Sequence, residues 1–392
     1  MKILISAFTF PPYKDGVSEA AAVMADGFLR RGWELDLATS PPKPSRQSTD
    51  WRGASIHEFD IQGSGNANYP FAGDIEKYRE FLLKGNWDVI IFHAYGWPIL
   101  VPVDILERIK SRKILVSHGY AALQWLRAPK FPWGLAVWVW SVKESLRMTK
   151  WIRSIDRAVY LSERADFRGF FDHWLAKATG YEGRTVIANG IDPEEHGTNP
   201  EAFRRKHDIS SDHFLFLCVA NYSRRKDQGF AARAFRKARL PNAVMLFIGS
   251  EFNSESDRFI KQDESLAESD KVGTIIWLEG QSREETLNAF AACDAFVLSS
   301  DHEAQPIVLL EAMRESKPWI ARDAGCIADM PGGICVKNES QMAHAMKHLT
   351  CHSKQARDLG TVGRQAIENY YNRSAYVERY CSLVNELKEQ IK

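Results

Sequence analysis

The chain has 392 residues, too many for one ordinary hydrophobic core and enough for two domains. Its 51 basic and 50 acidic residues nearly cancel, so no overall field recruits nucleic acid, and a charged partner must be held by a local patch. No apolar run reaches the length of about eighteen residues that a spanning helix needs. Six cysteines (Cys218, Cys293, Cys326, Cys335, Cys351 and Cys381) form no CxxC pair and read as reduced, packed thiols of a cytosolic protein.

Met1-Lys2-Ile3-Leu4-Ile5 reads as a first buried strand. A short apolar run followed by Pro11-Pro12, without a small-residue cleavage site, does not make a signal peptide. Lys2–Ala7 is then a strand, 8–16 a Pro/Gly loop, 18–31 an Ala-rich helix and 33–38 a strand. This β-α-β rhythm predicts a parallel sheet with right-handed crossovers. Residues 41–74, rich in Pro, Ser, Gly and Asn, read as a long surface excursion. Strands recur at 89–93, 113–117, 157–161 and 185–187, with a helix over 102–111, and Asn189-Gly190-Ile191-Asp192-Pro193 is a turn cluster. A polar stretch, 193–212, precedes a second run of the same rhythm. Strands are predicted at 214–219, 244–249, 274–278, 295–298, 319–321 and 333–336, and helices at 228–238 and 283–292. Two open α/β sheets follow, and open parallel sheets receive ligands outside the carboxyl ends of their strands.

No GxGxxG follows a strand and no GxxxxGK[ST] is present, which argues against a nicotinamide dehydrogenase and a P-loop ATPase. Neither HExxH, nor an EF-hand loop, nor a Cys/His zinc spacing occurs, so no resident metal is expected. Five groups carry chemistry instead. The stretch from Ser299 to Met313 reads as strand end, loop and helix, with Pro306 as the first helical residue. Glu303 lies in its loop. Glu311 lies inside an otherwise apolar helix, where a carboxylate is costly unless something binds it. The helix start between them is a natural anion site. Asn221-Tyr222-Ser223-Arg224-Arg225-Lys226-Asp227 places three cations at a strand's carboxyl end. They suit a diphosphate, or equally form a solvated basic turn. His118 ends a strand as His93 does; such a residue suits a sugar hydroxyl or phosphate oxygen, and a lone histidine is also an ordinary structural one. The 11–16 loop ends in Asp15-Gly16, where a ligand can approach the backbone closely; an ordinary strand-to-helix turn looks the same.

The fifth group is the window 124–153. It holds Trp125, Trp133, Trp138, Trp140 and Trp151 with Arg127, Lys130, Lys143, Arg147, Lys150 and Arg153 against the single acid Glu144. That is the composition of a helix in a membrane interface, and also of a helix pair with its rings turned inward.

Glu303 and Glu311 stand in an E-x7-E spacing, followed by Ala312-Met313 and Lys317-Pro318. Ile248-Gly249, Leu278-Glu279-Gly280 and 293–300 keep the expected order upstream. Downstream, Asp323-Ala324-Gly325-Cys326 looks like a glycine-pair turn with one glycine replaced. In these features the chain resembles the family 4 retaining glycosyltransferases, specifically in its second half and more loosely in its first. The resemblance implies a GT-B fold, two Rossmann-like doubly wound parallel-sheet domains facing a cleft. Residues 1–192 would be the acceptor side and 193–369 the donor side, with 370–392 crossing back to the first. It implies that Glu311 holds the donor ribose and Glu303 the donor sugar, with the backbone from Gln305 through Pro306 and Ile307 to Val308 facing the diphosphate. Lys226 with Arg225 or Arg224 would neutralise that diphosphate, Asn221 and Gly249 would complete the donor site, and His118 would touch the transferred sugar. Asp15 and Gly16 would line the acceptor cleft. Three positions depart from the family pattern: Asn221 replaces an arginine, Ala304 a glycine, and Asp15-Gly16 a glycine pair.

The implied function is retaining transfer of a hexose-type sugar from a nucleoside-diphosphate sugar, a co-substrate rather than a cofactor, to a glycan, lipid-linked or polysaccharide acceptor. Fixed cations would replace a metal. A sugar-nucleotide epimerase and a non-catalytic nucleotide-sugar-binding scaffold remain alternatives. The implied location is cytoplasmic, peripheral on the inner membrane face if 124–153 binds lipid, with no nucleic-acid partner.

Overall fold

The computed structural model describes residues 1–13, 15–42, 45–63, 71–95, 97–119, 133–165 and 170–389, without the side chains of 98, 99, 133–141 and 144. The chain divides into two compact units, Met1–Asn189 with Arg373–Lys392, and Gly190–Asn372. The divisions therefore fall at 189/190 and 372/373, against the expected 192/193 and 369/370.

The first unit runs β1 (Lys2–Ala7), α1 (Gly16–Leu29), β2 (Glu34–Thr39), β3 (Asp50–Trp51), β4 (Ala54–Glu58), β5 (Ile61–Gln62), β6 (Ala72–Gly73), α2 (Ile75–Lys84) and β7 (Val89–His93). It continues through α3 (Val103–Arg108), β8 (Arg112–Val116), α4 (Trp133–Arg153), β9 (Arg157–Tyr160), α5 (Phe171–Ala178) and β10 (Arg184–Val186). Its sheet has the order β10-β9-β8-β7-β1-β2-β4-β3, parallel except for β3 against β4. The 41–74 stretch is thus not a bare excursion, because β4 extends the sheet beside β2 and β5 pairs with β6. The apolar residues Ala54 and Ile56, two apart, face inward and supply the period that the surrounding polar residues obscure. The central strands are apolar on both faces, as strands covered by helices on both sides must be.

The second unit contains α6 (Pro200–Lys206), β11 (Phe214–Val219), α7 (Gln228–Ala238), β12 (Ala243–Gly249), α8 (Ser254–Glu264), β13 (Thr274–Glu279), α9 (Arg283–Ala292) and β14 (Ala295–Leu298). After these come α10 (Ile307–Arg314), β15 (Trp319–Arg322), β16 (Gly333–Val336), α11 (Glu339–Cys351) and α12 (Ser353–Asn369). Its sheet, β13-β12-β11-β14-β15-β16, is wholly parallel. The polar 193–212 stretch contains α6, started by Pro200 and buried through Phe203 and Arg204.

The last helix, α13 (Arg373–Glu389), belongs to the first unit. Its Tyr376, Tyr380, Leu383, Val384 and Leu387 join the core of α1, β1 and β2, and Arg373 pairs with Asp26 of α1 at 2.6 Å.

Candidate functional site

In the second sheet the chain steps outward from β11 to β13, then returns to lay β14 on the other side of β11. Strand order reverses there, and open α/β sheets take ligands beyond the carboxyl ends of the strands at such a reversal. The loops leaving these two strands, 220–227 and 299–306, hold the cation cluster and Glu303. They are tied together: Asp301 N–H donates to the Arg225 carbonyl at 3.0 Å, and Ser299 Oγ–H to the Lys226 carbonyl at 2.9 Å. Lys226 Nζ meets Glu303 Oε1 at 2.5 Å, although 77 residues separate them. Arg224, Arg225 and Asn221 are exposed. Among the described residues neither Arg224 nor Arg225 has an ion-pair partner, so two guanidiniums stand open beside a paired Lys226.

The Glu303 loop rests on the 323–326 turn. Cys326 N–H donates to the Ala304 carbonyl at 3.1 Å. Gly325 sits at φ +58, and a Cβ there would lie 1.9 Å from the Glu303 carbonyl oxygen. Only glycine permits both the left-handed backbone and that approach. Pro306 turns out to be the N-cap, with extended backbone, and Ile307 is the first helical residue. The helix therefore begins one residue later than expected, because Pro306 keeps ψ at 117. Gln305 and Pro306 are buried and Ile307 and Val308 half-buried. Leu309 N–H donates to the Pro306 carbonyl at 3.1 Å, and the start of α10, ahead of that bond, is the positive end of a helix dipole. Gly249 ends β12 against the ring of Tyr222, 2.3 Å from where a Cβ would stand. Its glycine is thus required by packing, whatever it also does for a ligand.

Glu311 is 4% exposed. The cation that stabilises it is Arg283, the first residue of α9, whose guanidinium donates to Glu311 and also to Glu195 at 2.6 Å. Arg314, fully buried, donates to Glu195 at 3.0 Å. Burial pushes the Glu311 carboxyl above the usual carboxylate range, while Arg283 and then Arg314 pull it back. Arg283, Glu195 and Arg314 were not legible as a set. Each looks like an ordinary surface charge, and only the folded chain brings α9, α10 and the segment before α6 within ion-pair distance.

The first sheet reverses between β1 and β7. His93 ends β7, and His118 follows β8. His118 Nε2 and His93 Nδ1 lie 3.1 Å apart, sharing a hydrogen bond, with ring centres 4.5 Å apart. Burial pushes both imidazoles down, His118 to about 4 with nearby Asp15 opposing, so both are neutral near pH 7. Behind His118, Ser117 Oγ–H donates to the buried Asp172 carboxylate at 2.5 Å and accepts from Gly119 N–H at 3.1 Å. Asp15 commits its carboxylate to capping α1, accepting from Val17 and Ser18 N–H at 2.9 Å each. An aspartate directly before an Ala-rich helix is an N-cap signal, whereas the expectation for Asp15 was a place in the lining of the acceptor cleft. Gly16 is the first residue of that helix.

Of the 124–153 window, Trp125, Arg127 and Lys130 lie outside the described residues, as do the side chains of Trp133, Trp138, Trp140 and Glu144. On α4, Trp151 is buried, Val142 and Leu146 are 41% and 63% exposed, and Lys143, Arg147, Lys150 and Arg153 are exposed. No helix among the described residues is long and apolar enough to cross a membrane.

Two parallel-sheet units of this topology define a GT-B fold, and comparison with solved structures agrees. A sucrose-phosphate synthase from Thermosynechococcus elongatus superposes with a TM-score of 0.74 at 17% identity, covering 98% of each chain. The Anabaena protein HepE in complex with UDP-glucose gives 0.72 at 14% identity, covering 98% of this chain and 100% of that one. More particularly, residues 199–366 match the family model described as "Glycosyl transferases group 1". The lipopolysaccharide core biosynthesis glycosyltransferase LpsE of Rhizobium meliloti is 25% identical over 187 residues, 46% of this chain and 52% of that protein. A trehalose synthase of Thermococcus litoralis is 25% identical over 157 residues, 38% of each. The chain thus spans about half or less of the length of these curated relatives.

Proposed function

We propose that the protein is a retaining glycosyltransferase that moves a sugar from a nucleoside-diphosphate sugar to a glycan or lipid-linked acceptor. The observation that carries this reading is the Lys226–Glu303 pair at the reversal of the second sheet, beside the start of α10 and two open guanidiniums. In this reading Glu303 holds hydroxyls of the donor sugar and Glu311 those of the ribose. Lys226, Arg225 and Arg224 oppose the charge that grows on the leaving diphosphate, with the α10 amides behind them. Preorganised charge of this kind stabilises the transition state more than the ground state, and it performs the task that a metal performs elsewhere. Neutral His118, held by His93, donates to or accepts from the transferred sugar. The matched family model and the UDP-glucose complex of HepE support the donor class.

Purified protein incubated with UDP-, GDP- and ADP-sugars, with and without candidate acceptors, tests the reading. Release of nucleoside diphosphate only when acceptor is present is the expected result. Isomerised donor without acceptor would instead make the protein an epimerase, and binding without turnover a scaffold. For the acceptor, exposed Val142 and Leu146 among the α4 cations favour one resident at a membrane surface. Flotation with anionic liposomes at low salt is the check, and absence of co-flotation removes the lipid-surface reading.

A further inference from the structure

Arg283 stands between two carboxylates on different elements. Glu311, with a side chain 6% exposed, lies inside α10, and Glu195, with a side chain 41% exposed, lies in the segment after the Asp192-Pro193 turn. The second guanidinium of the group, Arg314, is sealed in the core and holds Glu195 from the other side. Arg283 is itself half exposed, so it is free to exchange one carboxylate for the other while Arg314 is not. A carboxylate as buried as Glu311 takes up a proton when no cation faces it. Protonated, it loses acceptor capacity for a vicinal diol, because one oxygen becomes a donor.

We propose that Arg283 is a positioning residue for nucleotide binding, which keeps Glu311 charged in the free protein and yields it to the ribose hydroxyls, with Glu195 retaining the guanidinium alongside. The proposal rests on the reading that Glu311 meets the ribose. Its physical content is that the oxygen offered to the diol is never left as an uncompensated buried charge. Glu195 is the second anchor that makes the exchange cheap. The charged groups that face Glu311 are Arg283 from α9, Arg314 from its own helix and Glu195 from the segment before α6, so removal of Arg283 leaves only a sealed cation on one side and an anion on the other.

Calorimetric titration of UDP, GDP and ADP between pH 5.5 and 8.5, on wild type and on Arg283→Met, Arg283→Lys and Glu195→Gln, tests it. In Arg283→Met the pH below which affinity declines moves upward by about a unit or more, with about a tenfold loss per further unit of acid. Arg283→Lys returns the profile toward wild type. Glu195→Gln leaves Arg283 with Glu311 alone, so the ribose competes against a tighter pair and affinity drops several-fold without an upward move of the profile. A 2′,3′-dideoxy nucleoside diphosphate, which has no diol, binds wild type and Arg283→Met with the same pH dependence. If Arg283→Met binds nucleotide with the wild-type pH profile, the proposal is overturned and the donor-site reading stands. If the wild type binds none of the three nucleotides, the donor-site reading fails and takes the proposal with it.

Discussion

Lys226 and Glu303 show how one side-chain pair carries both stability and chemistry. In the free protein each satisfies the other, at 2.5 Å and mostly out of water. A bound diphosphate and sugar would take over both partners, so neither charge is left alone in either state. Lys226→Ala is expected to lower kcat by about a hundred- to a thousandfold, the loss seen when one preorganised charge is removed from a transition state. Steady-state kinetics at saturating donor measure this, and near-normal turnover would end the assignment. The histidine pair makes a separate prediction. His118 has its folded value lowered to about 4 from 6.5, and His93 is lowered as well. The unfolded chain therefore binds more protons than the folded one between those values. Stability of the first unit rises with pH through that window and is lost as pH falls from 6.5 toward 4, by at most about 1.4 kcal/mol per pH unit for His118, with His93 adding in the same direction. Amide exchange of β7 and β8 across pH 4.5–7 reads it out, and His118→Gln should remove one histidine's share of the slope.

At the scale of elements, the site depends on loops held at strand ends by contacts that are themselves backbone. The turn at Gly325 is the firmest of these, since its neighbour is a carbonyl that cannot rotate away. Gly325→Ala is expected to cost about 2–3 kcal/mol in the second unit, adding left-handed strain to a steric displacement of the Glu303 loop, and to depress activity. Gly180→Ala is the matched control. Gly180 has φ +67 but nothing within 4 Å of a Cβ, so it should lose only about 1 kcal/mol. Thermal melts of both variants decide between strain alone and strain with displacement. Both candidate loops of the second unit were legible because they interrupt the β-α rhythm with charge where apolar strands end. The exact start of α10 was not, since the backbone of a proline fits either an N-cap or a first helical residue.

At the scale of the whole molecule, each unit has its own core, and the chain enters the first unit twice. The buried side chains that α13 lends to that core, Tyr376, Val377, Tyr380, Cys381, Leu383, Val384 and Leu387, are contributed from the far end of the sequence. Each fully buried aliphatic side chain stabilises by about 1.5–3 kcal/mol. Ending the chain after Asn372 should therefore unfold the first unit and spare the second. Limited proteolysis checks this, the expected result being rapid loss of the first unit and persistence of a fragment near 190–372. Equal survival of both units would show that α13 is dispensable.

Local chemistry by itself determined the β-α alternation, the two-sheet organisation, the E-x7-E spacing and the cation cluster, because each of these is a pattern of neighbours or of a short period along the chain. Only the tertiary structure decided which charges meet. Lys226 finds Glu303 across a strand reversal, Arg283 of α9 divides itself between Glu311 of α10 and Glu195 of the segment before α6, and His93 meets His118 at the ends of neighbouring strands. The reason is physical: an ion pair or a shared hydrogen bond depends on distances of about 3 Å, and sequence separation carries no information about distance once a parallel sheet has reordered its strands.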